Sequence, residues 1–145
     1  MGIASLDDLL KQGSGISGKR VLVRCDFNVP LKDNEILDTS RIQAALPTLK
    51  KLSEARAKVI LASHLGRPNG KAAETLSLRP VAKTLSQLMG MTVKFSDNII
   101  GQVTENLCSN LKDREILLLE NLRFHPGEER NDPGFAKDLA QLAQV

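Results

Sequence analysis

The chain has 145 residues, enough for one domain with a sizeable core. Hydrophobic residues make up 41% and charged residues 26%, as in soluble globular proteins, while aromatic residues make up only 3%, which argues against a binder of single-stranded nucleic acid. The formal net charge of +3 is too small to indicate a nucleic-acid partner by itself.

Membrane insertion, secretion and metal binding are also disfavoured. No apolar stretch is long enough to span a bilayer, and residues 1–11 lack the pattern of a secretory signal. Cys25 and Cys108 match no metal-ligand spacing. We therefore expect reduced thiols, no metal site, no membrane partner and a cytoplasmic location.

The first predicted elements are a buried strand and an amphipathic helix. Residues 21–25 are nearly continuous in apolar character, as in a strand covered on both faces. A helix is predicted over about 41–55, with Pro47 inside it as an expected kink. Three residues are candidates for its cap: Asp38, Thr39 and Ser40. Its apolar face consists of Ile42, Ala45, Leu46, Leu49 and Leu52.

Strands and helices continue to alternate along the chain. Further strands are predicted over residues 58–63, 92–95 and 115–120. The second helix is predicted to have Ser77 as its cap, Pro80 in its first turn and Gly90 at its end.

Two more helices complete the pattern. A weaker helix is predicted from Ser96 or Asp97 to about Leu111. The last one begins near Asp132 and is still running at Leu142. Because strand-then-helix units succeed one another, we predict an α/β fold: a three-layer, Rossmann-like parallel sheet with helices on both faces.

One glycine-rich segment has the spacing of a nucleotide-binding loop, but its context is wrong. Residues 13–18 satisfy G-x-G-x-x-G and, with Lys19, approach a P-loop. Both motifs require a strand before the glycines and a helix after them, whereas here the strand follows. Arg20 also stands where a P-loop has the Ser or Thr that binds magnesium. We therefore interpret this segment as a loop that leads into the first strand.

Polar and basic residues follow the predicted strands at the edge where parallel sheets bind ligands. They are Asp26 and Asn28 after the first strand, His64, Gly66 and Arg67 after the second, and Arg123 and His125 after the fourth. Arg41 lies in the first turn of the first helix, where an acidic residue is more usual. Arginine at that position makes sense if an anion binds beside it.

The chemistry of this rim points to an acidic small molecule. Arginine binds carboxylate and phosphate groups through two parallel hydrogen bonds. Asp26 and Asn28 supply the acceptor and the donor that a hydroxyl group needs, and Gly66 lets the backbone approach a ligand. A purely structural interpretation stays open for single residues, since Asp26 can pair with Arg24 or with a neighbouring arginine, and His64 can serve the fold alone.

Three blocks of the sequence resemble signatures of the phosphoglycerate kinase family. Residues 24–30, RCDFNVP, are similar to the R-x-D-F-N-V-P signature of that family. Residues 62–68, ASHLGRP, and 119–129, LENLRFHPGEE, resemble two further blocks. Residues 45–48, ALPT, resemble the kinked helix of the family. The likeness covers essentially the whole chain in order.

The resemblance implies a specific activity and site. Phosphoglycerate kinases move a phosphoryl group between ATP or ADP and the carboxylate of 3-phosphoglycerate, giving 1,3-bisphosphoglycerate in one direction. An amino-terminal domain binds phosphoglycerate, and a carboxyl-terminal domain binds Mg-nucleotide. The implied substrate-binding residues are Asp26, Phe27, Asn28, Arg41, His64, Leu65, Gly66, Arg67 and Arg123. Arg41 is the residue implied to serve the transferring phosphoryl group, so it is the predicted catalytic residue.

The resemblance also defines what this chain is expected to lack. Residues 1–145 correspond to most of the amino-terminal domain, so the Mg-ATP/ADP site is expected in an absent carboxyl-terminal domain. The chain alone is expected to be inactive and to bind phosphoglycerate weakly, and the complete enzyme is expected to be a monomer. Two alternatives are a stand-alone, non-catalytic α/β module that binds a small anion, and a fragment with no function. The residues do not distinguish a glycolytic from a photosynthetic role.

Overall fold

The computed structural model describes residues 15–128 and 130–145. Within them, one sheet contains four parallel strands: β1 (Arg20–Arg24), β4 (Lys58–Ala62), β5 (Val93–Ser96) and β6 (Ile116–Leu119). Their order across the sheet is β1–β4–β6–β5, and every adjacent pair is parallel. The predicted parallel sheet is therefore confirmed.

Helices cover both faces of this sheet. They are α1 (Ser40–Glu54), α2 (Arg79–Met89), α3 (Gln102–Ser109) and α4 (Pro133–Ala140), with short 3₁₀ turns at Glu74–Leu76 and Leu122–Phe124. One buried cluster joins α1 and α2 to the sheet and includes Ile42, Leu49, Val81, Leu85, Val59 and Leu118. The other joins α3 and α4 to the opposite face and includes Cys108, Phe135, Ile60, Leu117 and Leu119. Because consecutive strand residues point to opposite faces, the strands contribute to both clusters, which confirms the three-layer arrangement.

A short hairpin between β1 and α1 was not predicted. Its strands are β2 (Leu31–Lys32) and β3 (Glu35–Ile36), which pair antiparallel. Asp33 and Asn34, which join them, have φ angles of 52° and 62°. Two-residue hairpin turns need such left-handed residues, and Asn and Asp tolerate them better than most side chains do.

The first two helices begin and end close to the predicted positions. Helix α1 continues through Pro47. Thr39 is its N-cap but makes no side-chain capping bond, and Asp38 Oδ1 instead accepts the Ser40 N–H at 2.8 Å. Helix α2 ends at Gly90, whose φ of 68° is the left-handed conformation that glycine favours. Leu78 occupies its N-cap position, one residue after the predicted Ser77, but the Ser77 hydroxyl accepts the N–H of Arg79, the first residue of the helix, at 3.2 Å.

The last two helices are shorter than predicted. Helix α3 begins only at Gln102, because Ser96 is buried at the end of β5, where its hydroxyl donates to the carbonyl of Asn98 at 2.7 Å and holds the chain in a turn. Helix α4 begins after Asp132, which accepts the Gly134 N–H as predicted, but it ends at Ala140 rather than continuing past Leu142.

Both ends of the described chain lie beside the edge strand β1. Residues 15–18 form a turn and β1 follows them directly, so no helix follows the glycine-rich segment; Gly13 and Ser14 lie outside the described residues. Leu22 N–H donates to the Val145 carbonyl at 2.9 Å, and Val145 N–H donates to the Arg20 carbonyl at 3.2 Å. This alternation is the hydrogen-bond pattern of parallel strands.

Candidate functional site

The loops after β1, β4 and β6 meet at the carboxyl edge of the sheet. Phe27 N–H donates to Ser63 Oγ at 3.0 Å, which joins the loops after β1 and β4. Gly70 N–H donates to the Arg123 carbonyl at 3.1 Å, which joins the loops after β4 and β6. The predicted site residues from separate strands therefore belong to one connected rim, which we call the basic rim: Arg24, Arg41, His64, Arg67 and Arg123 around Asp26 and Asn28.

Arg41 reaches from the first turn of α1 to the loop after β1. Its guanidinium donates to the carbonyl oxygen of Asn28 at 2.6 Å and to Oδ1 of Asp26 at 3.2 Å. The Arg41 side chain is 53% exposed and that of Asp26 is 64% exposed, so solvent reaches this ion pair. The open question about Asp26 is thus answered: its partner is Arg41, whereas Arg24 pairs with Glu128 at 2.6 Å.

Asp26 and Asn28 keep part of their hydrogen-bonding capacity. Asp26 Oδ1 accepts from the Asn28 N–H at 3.1 Å as well as from Arg41, while Oδ2 accepts from no other residue that the structure describes. Asn28 Oδ1 accepts the Gly66 N–H at 2.9 Å, which leaves the Asn28 amide group as a donor towards the rim. One acceptor and one donor therefore remain side by side, as the recognition of a hydroxyl group requires.

His64 lies in a strongly positive part of the rim. The pKa of its imidazole is lowered from the ordinary value, first by burial and then by the positive charges of Arg123 and Arg24. The carboxylates of Asp26 and Glu128 oppose this effect only in part. Burial is thus the main cause of the lowered pKa, and the contributions of Arg123 and Arg24 show that both arginines lie near His64.

Gly66 has a left-handed backbone and lies close to the Leu76 side chain. Its φ is 62°, and a Cβ atom there would lie 2.8 Å from Leu76 Cδ2. Arg123 Nη1 approaches the Gly66 carbonyl at 3.5 Å. Glycine is thus required by the fold of the loop itself, which adds a second reason to the predicted approach of a ligand.

The remaining predicted site residues fall into two groups. Arg67 is exposed and makes no hydrogen bond or ion pair with another residue in the described part of the chain. The side chains of Phe27 and Leu65 are buried, at 0% and 2% exposure, and belong to the core cluster on the α1 and α2 face. Their side chains therefore act as apolar anchors beneath the rim, and their predicted part in substrate binding stays a prediction.

Comparison with known proteins agrees with these features. The family model for phosphoglycerate kinase matches residues 10–145. The chain belongs to the phosphoglycerate kinase family. It is 55% identical over 130 residues to the phosphoglycerate kinase of Moorella thermoacetica, covering 90% of this chain and 33% of the relative. It is 52% identical over 131 residues to that of Picosynechococcus sp., with 90% and 33% covered. The chain thus spans about a third of the length of these relatives.

Solved structures of phosphoglycerate kinases share this architecture. The kinase from Pyrococcus horikoshii OT3 matches with a TM-score of 0.79 at 31% identity, covering 93% of this chain and 34% of that one. The kinase from Coxiella burnetii matches with a TM-score of 0.77 at 37% identity, covering 88% and 31%. Both comparisons confirm the α/β fold of this chain.

The structure adds residues that sequence reasoning did not assign to the site. Arg24 and Glu128 lie within family blocks, but Arg24 was considered only as a partner for Asp26 and Glu128 was given no role. Asn121 lies within a family block but was given no role, although its side chain is fully buried between the loops of the rim. The signal for Arg24 was present, since it ends the first strand two residues before Asp26; the contact with Glu128 joins segments far apart in sequence.

Neither a metal site nor a membrane span is found among the described residues. No group of three or more His, Cys, Asp or Glu side chains within residues 15–128 and 130–145 is placed to hold a metal ion. In the same residues, no helix is long and apolar enough to cross a membrane.

Proposed function

We propose that this chain forms the phosphoglycerate-binding part of a phosphoglycerate kinase. The observation that carries the proposal is the basic rim, where basic side chains from three strand-end loops and one helix start converge on Asp26 and Asn28. The substrate has a carboxylate and a phosphate, about three negative charges near neutral pH. Residues 1–145 then form an incomplete amino-terminal domain, in agreement with the one third of the relatives that they cover.

The rim suits phosphoryl transfer to or from a carboxylate. In the proposed reaction a carboxylate oxygen of 3-phosphoglycerate attacks the γ-phosphorus of ATP, and the bond to the ADP oxygen breaks. Such a transfer needs alignment of the reactants and stabilisation of charge more than a general base. We assign stabilisation of the transferring group to Arg41, binding of the anionic groups to His64, Arg67 and Arg123, and binding of the hydroxyl region to Asp26 and Asn28.

The nucleotide is assigned to no residue of this chain. The glycine-rich segment precedes a strand instead of a helix, so it lacks the context of a nucleotide-binding loop. We therefore propose that Mg-ATP and Mg-ADP bind to the remaining two thirds of a complete enzyme, which works as a cytoplasmic monomer in glycolysis.

The proposal can be tested in a complete enzyme that contains this chain. Residues 1–145 are joined to the remaining two thirds of the Moorella thermoacetica relative, and ATP-dependent turnover of 3-phosphoglycerate is followed through an NADH-linked dehydrogenase. We expect turnover by the joined enzyme and none by the 145-residue chain. A folded joined enzyme that binds nucleotide but neither binds nor phosphorylates 3-phosphoglycerate would contradict the proposal. Turnover by the short chain would contradict the division of the two sites.

A further inference from the structure

We propose that Asn121 is a positioning residue for the part of the basic rim that the loops after β4 and β6 form. The inference rests on the proposed function, because it names the residue that sets the distance between the His64–Arg67 loop and Arg123. Asn121 follows β6 and its side chain is 0% exposed, so it does not contact substrate itself. It acts through the backbone of Arg123 and of Leu65, which stands beside His64 and Gly66.

The Asn121 amide makes four hydrogen bonds to three separate segments. Its Oδ1 accepts the N–H of Leu65 at 3.2 Å and the N–H of Arg123 at 3.0 Å. Its Nδ2 donates to the carbonyls of Leu65 at 2.7 Å and Leu76 at 3.0 Å. An Asn side chain has two N–H donors and one oxygen with two lone pairs, so this arrangement uses its full capacity.

These bonds fix binding residues on both sides of Asn121. Leu65 stands between His64 and Gly66, and both its N–H and its carbonyl are bound to the same amide. The third contact holds the backbone of Arg123 itself. One rigid planar group therefore sets the spacing of a histidine, a glycine and an arginine that come from two different strand ends.

A second buried polar residue provides the contrast. Ser96 is the last residue of β5 and is also 0% exposed, but in the described part of the chain its hydroxyl interacts only with Asn98 and Thr104. Those residues lie on the way to α3, and the Ser96 side chain makes no contact with the basic rim among the described residues. Loss of its hydroxyl disturbs buried hydrogen bonds without disturbing the rim, which makes Ser96→Ala the matched control.

The test compares Asn121→Ala with Ser96→Ala in the complete enzyme described above. The readouts are kcat, the KM for 3-phosphoglycerate, the KM for ATP and the melting temperature. A misplacement of about 1 Å in a binding group reduces catalytic efficiency by up to a hundredfold. We therefore expect Asn121→Ala to raise the KM for 3-phosphoglycerate on the order of tenfold or more and to leave the KM for ATP within about twofold. Ser96→Ala should lower the melting temperature and leave both KM values unchanged.

A purely structural role gives a different pattern. If Asn121 only stabilises the fold, Asn121→Ala behaves like the control, with an unchanged KM for 3-phosphoglycerate, and the inference is overturned. If Asn121→Ala does not fold, Asn121→Ser carries the test, because its neutral hydroxyl can replace part of the lost hydrogen bonding without burying a charge. It should raise the same KM by a smaller factor, and a KM equal to that of the control overturns the inference.

Failure of the proposed function is distinguishable from failure of this inference. An unsubstituted enzyme without kinase activity contradicts the proposed function, and the positioning role falls with it. An active unsubstituted enzyme whose Asn121 variants match Ser96→Ala contradicts the positioning role alone.

Discussion

The two sides of the basic rim are held in different ways. On the β1 side, the Arg41 guanidinium is held by a carbonyl and by a carboxylate that are open to solvent. On the side of β4 and β6, the backbones of Leu65 and Arg123 are held from beneath by a buried amide, that of Asn121. One side depends on exposed charges, and the other on buried hydrogen bonds.

This difference indicates a division of labour. An exposed ion pair contributes about 0–1 kcal/mol, so Arg41 can leave Asp26 for a ligand at little cost. Buried hydrogen bonds are costly to break without replacement, at about 1–3 kcal/mol for each unsatisfied group, so the loop around Gly66 keeps its shape. The β1 side is therefore suited to following a group that moves during transfer, and the other side to holding a group that stays.

The largest expected effect is the loss of turnover when Arg41 is truncated. Arginines that stabilise a transferring phosphoryl group contribute about 10³–10⁵-fold in kcat. We expect Arg41→Ala in the complete enzyme to lower kcat by about 10³-fold, with a change in the free energy of unfolding below about 1 kcal/mol. Steady-state kinetics and urea unfolding measure the two quantities.

Arg79→Ala is the matched control for Arg41→Ala. Arg79 is also an exposed arginine near the start of a helix, 62% exposed and paired with the exposed carboxylate of Asp97. Its guanidinium also lies 4.7 Å from the centre of the Phe95 ring, and among the described residues Arg79 makes no hydrogen bond or ion pair with a residue of the basic rim. Removal of its charge should leave kcat within about twofold, since no interaction with the transition state is lost. Equal losses of kcat in both variants would contradict the assignment of Arg41.

A smaller effect is expected at Gly66, which lies on the side of the rim formed by the loops after β4 and β6. An alanine at φ 62° costs about 1–2 kcal/mol, and its Cβ would also meet Leu76 at 2.8 Å. We expect Gly66→Ala to lower stability and to raise the KM for 3-phosphoglycerate on the order of tenfold, because the strained backbone at φ 62° and the contact with Leu76 both favour a shift of the loop. Thermal melts and kinetics test the two parts separately.

Gly90→Ala is the control that separates the free-energy cost of the left-handed backbone at Gly66 from the cost of the contact with Leu76. Gly90 has a similar φ of 68°, but a Cβ atom there would have no neighbour within 4 Å. The Gly90→Ala enzyme should therefore lose stability through backbone strain alone, and its KM for 3-phosphoglycerate should stay unchanged. If Gly66→Ala matches Gly90→Ala in both stability and KM, the loop is more adaptable than its packing indicates.

The fold was largely predictable because its signals are local. The continuously apolar strands around Val59 and Leu117 and the helix end at Gly90 each follow from neighbouring residues. The helix boundaries that were predicted wrongly depend on contacts between residues that are further apart in the sequence. The late start of α3 follows from the hydroxyl of Ser96, which contacts Thr104 eight residues away.

The site was predictable in its residues but not in its connections. Asp26, His64 and Arg123 each follow a strand, and the carboxyl ends of parallel strands share one edge of the sheet, so their proximity follows from the strand pattern alone. The choice between Arg24 and Arg41 as partner of Asp26 was open, because it depends on where α1 meets the loop after β1. Asn121 could not be found in this way, since a buried amide that bridges three segments has no pattern in the sequence.

The smallest predicted effect is a change in the protonation of His64. In the chain without ligand, burial and the nearby arginines lower the pKa of its imidazole. The unfolded chain then takes up a proton below about pH 6.5 that the folded chain resists, so this histidine makes folding less favourable as the pH falls through that value. His64→Gln should remove that part of the pH dependence of stability.

An anion bound at the rim should reverse the shift. Negative charge beside His64 favours the imidazolium, so 3-phosphoglycerate should raise the pKa of His64 and its binding should take up protons between the two pKa values. Proton NMR of the imidazole ring, followed against pH with and without 3-phosphoglycerate, measures the change, and His64→Gln assigns the signal. An unchanged pKa of His64 in the saturated enzyme would mean that the anionic groups bind away from His64. Their binding would then be assigned to Arg67 and Arg123 alone.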